Sequence, residues 1–224
     1  MLNGAVSADG KLALENRSLI QFSSRRDRQL VFRLRAKVDA VLSGARTLET
    51  FSIDLAAGGE KWREQRIRRG LSPEPLRVIV SGSASLDPRA RIFRKRVSPI
   101  IILTTRNADK RKVAALNKVA DAVKIFGEKK VSFAPALRWL RDQHGVKSMV
   151  CEGGGETNAA LLRSGVVDEL HLTMCPLLLS GRYAPTISDG HGVGSLKAAP
   201  RLKLKSVKQV KGEVFLVYQV LGAH

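Results

Sequence analysis

The sequence predicts a single α/β domain on a mostly parallel central sheet, with helices on both faces and a C-terminal antiparallel hairpin. Three observations carry this reading. Short apolar runs alternate with helical patterns along the whole chain. Two of those runs, Leu76–Val80 (LRVIV) and Pro99–Thr105 (PIIILTT), are apolar throughout and rich in β-branched residues, as strands buried on both faces are. The last segment, Arg201–Leu221, is two alternating runs around Lys211-Gly212, a hairpin signal.

Taken in order, Met1 to Gly10 reads as a strand that starts almost at once, which leaves room for a few residues upstream. Ser24 followed by Asp27 has the form of a capping box, and Leu30, Val31, Leu34 and Val38 then recur at helical spacing. Val38–Gly44 (VDAVLSG) is an apolar run closed by glycine, hence a buried strand. Helices are expected at Ala45–Phe51, Glu60–Arg69 and Asp109–Lys118, and a short strand at Ala122–Phe126. Ser132 is placed to cap a helix that runs through Leu137, Leu140 and Arg141 and stops at Gly145. A strand at Lys147–Cys151, a glycine turn at Glu152–Gly155 and a helix at Thr157–Arg163 follow, the helix ended by Gly165. Asp168–Cys175 (DELHLTMC) alternates as a strand does.

Composition narrows the function. The 224 residues, 44% of them hydrophobic, can build a packed core. No run is long enough to span a membrane, and no secretory signal opens the chain. Cys151 and Cys175 are too far apart for a CxxC motif and read as buried, reduced thiols of a cytoplasmic protein. His144, His171, His191 and His224 have no metal-ligand spacing, so no metal is expected. The net charge of +19 attracts polyanions and steers phosphorylated small molecules. Its basic residues are scattered, and the densest run, Lys61–Arg69, includes Glu64 and reads as the solvated face of a helix. Aromatics make up only 5%, which offers little for base stacking, so nucleic-acid binding is not expected.

Three turns have the makings of a site. Cys151-Glu152-Gly153-Gly154-Gly155-Glu156-Thr157 joins a strand to a helix. Its glycines let backbone approach a ligand, and the helix start offers N–H groups to an anion such as a pyrophosphate. A triple glycine also serves as a plain tight turn. Ser7-Ala8-Asp9-Gly10-Lys11 sets an acid and a lysine about a glycine turn, although Asp-Gly is itself a common turn dipeptide. Ser43-Gly44-Ala45-Arg46-Thr47 repeats strand, glycine and helix start, with Thr47 able to bond a ligand phosphate or the backbone. Such turns lie at the C-terminal strand edge, where open α/β sheets bind ligands. No Ser-His-Asp set competes with them.

These blocks resemble the reductase domain of bacterial bifunctional riboflavin-biosynthesis deaminase/reductases and their stand-alone relatives. The matching pieces are SADGKLAL (Ser7–Leu14), Leu34–Ala36 with VDAVLSGART (Val38–Thr47), PLRVIV (Pro75–Val80) and the long block Cys151–Gly181. In order and spacing they cover nearly the whole chain. The resemblance implies a dihydrofolate-reductase-like fold over residues 1–224, NADPH as hydride donor and a phosphorylated pyrimidine as substrate. It places Gly153, Gly154, Gly155, Glu156 and Thr157 along the cofactor phosphates, and Ala5 and Thr47 near the nicotinamide half. It implies that Glu152 and Arg35 touch the substrate, Arg35 at its phosphate. Asp9 and Lys11 are the candidates for holding the ribose hydroxyls or relaying a proton. Ser81 and Arg106, at the ends of two middle strands, are candidates for the 2′-phosphate of NADPH. A homodimer is expected, as is typical of such relatives.

Two departures bear on the substrate. Relatives continue the GAxT block into D-x-P-x-L-T-x-R, whereas this chain reads Leu48 to Leu55 (LETFSIDL), with Phe51 where the acid is expected. No H-x-E with P-C-x-x-C is present, so the deaminase half is absent. Two alternatives stand beside the leading reading: an NADPH reductase of the same fold acting on another small molecule, and a relative that kept the fold and holds polyanions without turnover.

Overall fold

The apolar runs read as strands are strands in the computed structural model, which describes residues 1–18, 21–51 and 53–222. His224 and residue 52 of the altered segment after Thr47 lie outside the described residues. In chain order the first elements are β1 (Leu2–Ser7), α1 (Arg25–Arg35), β2 (Ala40–Gly44), α2 (Ala45–Phe51), α3 (Glu60–Ile67) and β3 (Leu76–Val80). Next come α4 (Arg91–Arg94), β4 (Ile100–Thr104), α5 (Lys110–Asn117), β5 (Ala122–Ile125) and α6 (Phe133–His144). β6 (Met149–Cys151), α7 (Gly155–Arg163), β7 (Glu169–Cys175), β8 (Arg201–Val210) and β9 (Glu213–Leu221) complete the chain. Two compact units divide it, Gln29–Val150 and a second made of Met1–Arg28 with Cys151–His224.

In the unit Gln29–Val150 the strands lie in the order β5-β4-β3-β2, every pair parallel. β2 and β4 are buried at every position, which is why their sequences are apolar without alternation. The helices are set by their ends. Asp109 caps α5 by accepting from the N–H groups of Arg111 and Lys112, and Gly145 closes α6 with a left-handed φ of 65°. Ser132 stands at the N-cap of α6, but its hydroxyl makes no capping bond and lies against Gly127 instead. The strand expected from Lys147 begins only at Met149. The N–H groups of Lys147 and Ser148 donate to the Asp39 carboxylate rather than to a neighbouring strand.

The basic run along α3 is not uniformly solvated. Arg66 is 1% exposed, and its guanidinium donates to the carbonyls of Ser72, Val38 and Arg35. Arg77, in β3, is buried in the same manner against the carbonyls of Ile92, Lys95 and Ser98. Burial lowers the pKa of both, and nearby carboxylates oppose the shift. These two cations tie loops to the strand layer, so part of the excess charge is structural.

In the second unit the order is β6-β1-β7-β9-β8. β1 pairs in parallel with β6 and β7, while β7–β9 and β9–β8 are antiparallel. Lys211 and Gly212 both have positive φ, at 49° and 85°, as a two-residue hairpin turn requires. The arrangement is the α/β fold expected, mostly parallel with a C-terminal antiparallel hairpin. β8 carries a bulge at Lys205, between Leu204 and Ser206. That extra residue returns Val207 to the sheet face already holding Leu202 and Leu204, and all three stay largely exposed.

Candidate active site

The glycine turn lies in the second unit. β6 ends at Cys151, and α7 starts at Gly155, two residues earlier than its sequence pattern indicates. A Cβ on Gly155 would run into the Asp189 carboxylate and the Thr186 carbonyl. The same loop ties itself there: Asp189 N–H donates to Gly155 O at 3.0 Å, and Thr186 Oγ1 donates to Asp189 Oδ1 at 2.6 Å. A Cβ on Gly153 would lie 3.0 Å from Thr157 Cβ and 3.1 Å from Cys151 Sγ. Gly155 is therefore required by this chain's own packing, and a side chain at Gly153 would be tight against Thr157 and Cys151. Gly154, the half-exposed N-cap of α7, has no side-chain capping bond. Glu156 is exposed and Thr157 half-buried beside it.

The turn after β1 is a pinned loop. Ser7 Oγ donates to Asp9 Oδ1 at 2.5 Å, and the N–H groups of Leu179 and Ser180 donate to the same carboxylate at 3.1 and 2.8 Å. Those bonds, the Ser7 hydroxyl first, hold the Asp9 pKa down to about 2. Asp9 is thus an anion at neutral pH whose carboxylate is held by its own chain. Lys11 is half-exposed and forms an isolated backbone bridge with Thr186.

A set of polar groups that the motifs did not reveal lies on one face of the same unit. The register of β1 on β7 pairs Asn3 with His171, Ala5 with Thr173 and Ser7 with Cys175, and side chains at paired positions share a face. Asn3 and Thr173 are buried, and Asn3 Oδ1 has no hydrogen-bond partner among the described residues. Asp27 of α1, also buried, approaches Thr173. Burial raises the Asp27 pKa, Glu213 and Glu152 push it further, and the hydroxyls of Thr173 and Ser23 oppose them. Glu152, expected from the sequence to touch substrate, therefore stands in the field of Asp27. Cys175 lies 3.7 Å from Glu213 Oε1, and burial, with Glu213 adding, pushes its thiol up to about 12. Cys151 is likewise buried, free and raised to about 12 by burial.

The remaining candidates belong to the unit Gln29–Val150. Arg35 is 4% exposed, and its guanidinium donates to Ala56 O at 2.6 Å and lies over the Phe32 ring. Thr47 is half-exposed near the start of α2. Ser81 follows β3, and its buried Oγ has no hydrogen-bond partner among the described residues. Arg106 is 74% exposed and pairs with Glu128 at 3.0 Å. A cavity of about 450 Å³ opens near Asp39, Leu76 and Pro99, at the N-terminal ends of β2 to β4 and away from the edge where such sheets bind ligands.

The family whose model matches is the RibD C-terminal domain, over residues 1–216. A 2,5-diamino-6-ribosylamino-4(3H)-pyrimidinone 5′-phosphate reductase of Archaeoglobus fulgidus is 34% identical over 189 residues, covering 84% of this chain and 85% of the relative. Among solved structures, a pyrimidine reductase-like protein of Corynebacterium diphtheriae superposes with a TM-score of 0.81 at 20% identity, covering 98% and 90% of the two chains. A deaminase/5-amino-6-(5-phosphoribosylamino)uracil reductase of Thermotoga maritima gives 0.73 at 19% identity, over 98% of this chain and 56% of the other. These likenesses show the dihydrofolate-reductase-like fold.

Proposed function

The chain belongs to the RibD C-terminal domain family, and from that premise we propose that it is an NADPH-dependent reductase of riboflavin biosynthesis. It reduces the ribosyl group of a ribosylaminopyrimidine 5′-phosphate to a ribityl chain. The observation that carries this reading is the 34% identity over most of both chains to a reductase named for that substrate class.

The residues present fit a dinucleotide. Gly154 leaves the start of α7 without a side-chain cap, so the N–H groups of Gly155, Glu156 and Thr157 suit a phosphate. Ser81 Oγ, buried and unpaired among the described residues, is the atom a cofactor hydroxyl or phosphate would satisfy. Thr47, Ala5 and Arg106 keep their proposed parts along the cofactor, Arg106 by exchanging Glu128 for the 2′-phosphate. When bound, NADPH would supply the hydride for reduction at C1′ of the ring-opened ribosylamine, with a proton from water completing the amine. The protein's task is to orient the two reactants and exclude water. Lys11 and Glu152 are the groups proposed to hold the ribosyl hydroxyls.

The span 1–224 is proposed to act as one reductase domain, because the family model runs across both units and one unit is made from both chain ends. A homodimer is proposed through the open face of β8, where Leu202, Leu204 and Val207 stand 44–55% exposed. The two buried free thiols accord with a cytoplasmic setting. The test is NADPH consumption, followed by its absorbance, with the ribosylaminopyrimidine phosphates as substrates. Turnover supports the reading, and none with either the amino or the oxo form overturns it.

A further inference from the structure

We propose that Arg17 and Arg182, on two loops laced together at the carboxyl edge of β1 and β7, hold the 5′-phosphate of the substrate. The proposal rests on the reductase reading and names the groups that grip one end of that substrate.

β1 and β7 are parallel neighbours, so the loops that leave them, residues 8–18 and 176–186, start at one edge, the edge where such sheets take ligands. The two loops are bound to each other along their length. Ala8 N–H donates to Leu177 O at 2.8 Å, Leu12 N–H donates to Pro185 O at 2.7 Å, and Lys11 forms its backbone bridge with Thr186. Both acids of these loops are taken up by that lacing. The Asp9 carboxylate accepts from the N–H groups of Leu179 and Ser180, and Glu15 Oε1 accepts from Tyr183 N–H at 2.7 Å. The cations of the same loops, Lys11, Arg17 and Arg182, have no side-chain partner among the described residues. The acids thus fix the backbone and leave the cations to an outside anion.

The backbone sets the two arginines close together, with Glu15 as their common neighbour. Arg17 lies two residues beyond Glu15, a span of at most about 7 Å, and its N–H closes a turn on Leu14 O at 2.9 Å. Arg182 stands between Gly181 and Tyr183, which both meet Glu15: a Cβ on Gly181 would lie 3.2 Å from Glu15 Cβ. Both arginines are exposed. Arg17 and Ser180 also hold a left-handed φ, 58° and 56°, although neither is glycine. Backbone strain of this kind persists only where the surrounding structure enforces it, and it gathers at ligand clamps. A phosphate dianion suits the pair, because each guanidinium can bridge two of its oxygens. Lys11, proposed to hold the ribosyl hydroxyls, belongs to the same loop as Arg17, so the sugar and its phosphate fall to neighbouring groups.

The experiment measures calorimetric affinity for the ribosylaminopyrimidine 5′-phosphate and for the same compound without its phosphate, in wild type, Arg17→Gln, Arg182→Gln and the double variant. NADPH is titrated separately into each. Wild type should prefer the phosphorylated compound about 100-fold, each single variant about tenfold, and the double variant not at all. Affinity for the dephosphorylated compound and for NADPH should be unchanged, and Tm should not fall, since both side chains are exposed. Arg17→Lys and Arg182→Lys keep the charge without the fork, and each should lose only about threefold of the preference. No phosphate preference in wild type, a preference that survives in the double variant, or a loss shared by the dephosphorylated compound or NADPH would overturn the assignment. A preference that follows the two arginines without NADPH oxidation would leave it standing and overturn the reductase reading instead.

Discussion

Glu213 and Ser24, 189 positions apart in sequence, are joined by two hydrogen bonds of 2.7 and 2.5 Å, so the last strand of the sheet caps the first helix. The bond fixes the start of α1 and, with it, the position of Asp27. Ser24→Ala removes the cap and one partner of a buried carboxylate. A loss of about 2 kcal/mol in unfolding free energy is expected, measured by urea denaturation. No loss would mean that the capping contact contributes nothing.

The glycine turn separates a folding role from a ligand role at adjacent positions. Gly155→Ala drives a methyl group into Asp189 and Thr186 and should lower Tm or abolish soluble expression. Gly154→Val should leave the thermal transition within a few degrees and weaken NADPH binding by at least about tenfold. Unchanged NADPH affinity in a calorimetric titration of the second variant would remove the cofactor from this turn.

Asp9 gives a pH dependence whose sign follows from its depressed pKa. Its folded value, about 2, lies below the ordinary aspartate value of 3.8. The stabilisation is therefore complete above the unfolded value and is lost as pH falls from about 4 through about 2. Asp9→Asn should flatten the decline of Tm across that acid window. It should leave no trace in the pH profile of kcat near neutrality, where a proton relay would show an inflection.

Arg35→Ala leaves the Ala56 carbonyl buried without its donor, and should cost about 1–3 kcal/mol of stability. A KM for the phosphorylated substrate raised tenfold or more, with Tm unchanged, would return the residue to the phosphate role its motif position implied.

The charge of +19 is largely a diffuse field, and such fields act on encounter. Rising salt should lower kcat/KM for the phosphorylated substrate and leave kcat nearly flat, because screening sets in beyond a Debye length of about 8 Å at physiological ionic strength. Tight nucleic-acid binding that persists at that salt would contradict this.

The elements most legible in the sequence were those with a local cause. β3 and β4 announce themselves because both faces are buried, and Gly145 and Lys211-Gly212 because only certain residues accept a positive φ. What pattern reading missed depends on distant partners. The start of β6 moves because Asp39 captures two N–H groups, and α4, four residues long, carries too little periodicity to be read. At the site, the Thr186 and Asp189 groups that a side chain at Gly155 would meet come from a loop distant in sequence and leave no local sign. Asp27 looked like half of a capping box, and only the approach of Glu213 across the fold shows otherwise. Thr173 was visible as one polar position in an alternating strand, with nothing local to set it apart.

The central claim, hydride transfer to a ribosylaminopyrimidine phosphate, is tested most directly by isotope transfer. The protein is incubated with the diaminopyrimidinone substrate and NADPH deuterated at its transferable position, and the product is examined by mass spectrometry. The account predicts a ribityl product carrying a single deuterium at C1′. A recovered ribosyl compound without deuterium, beside unconsumed NADPH, would contradict it.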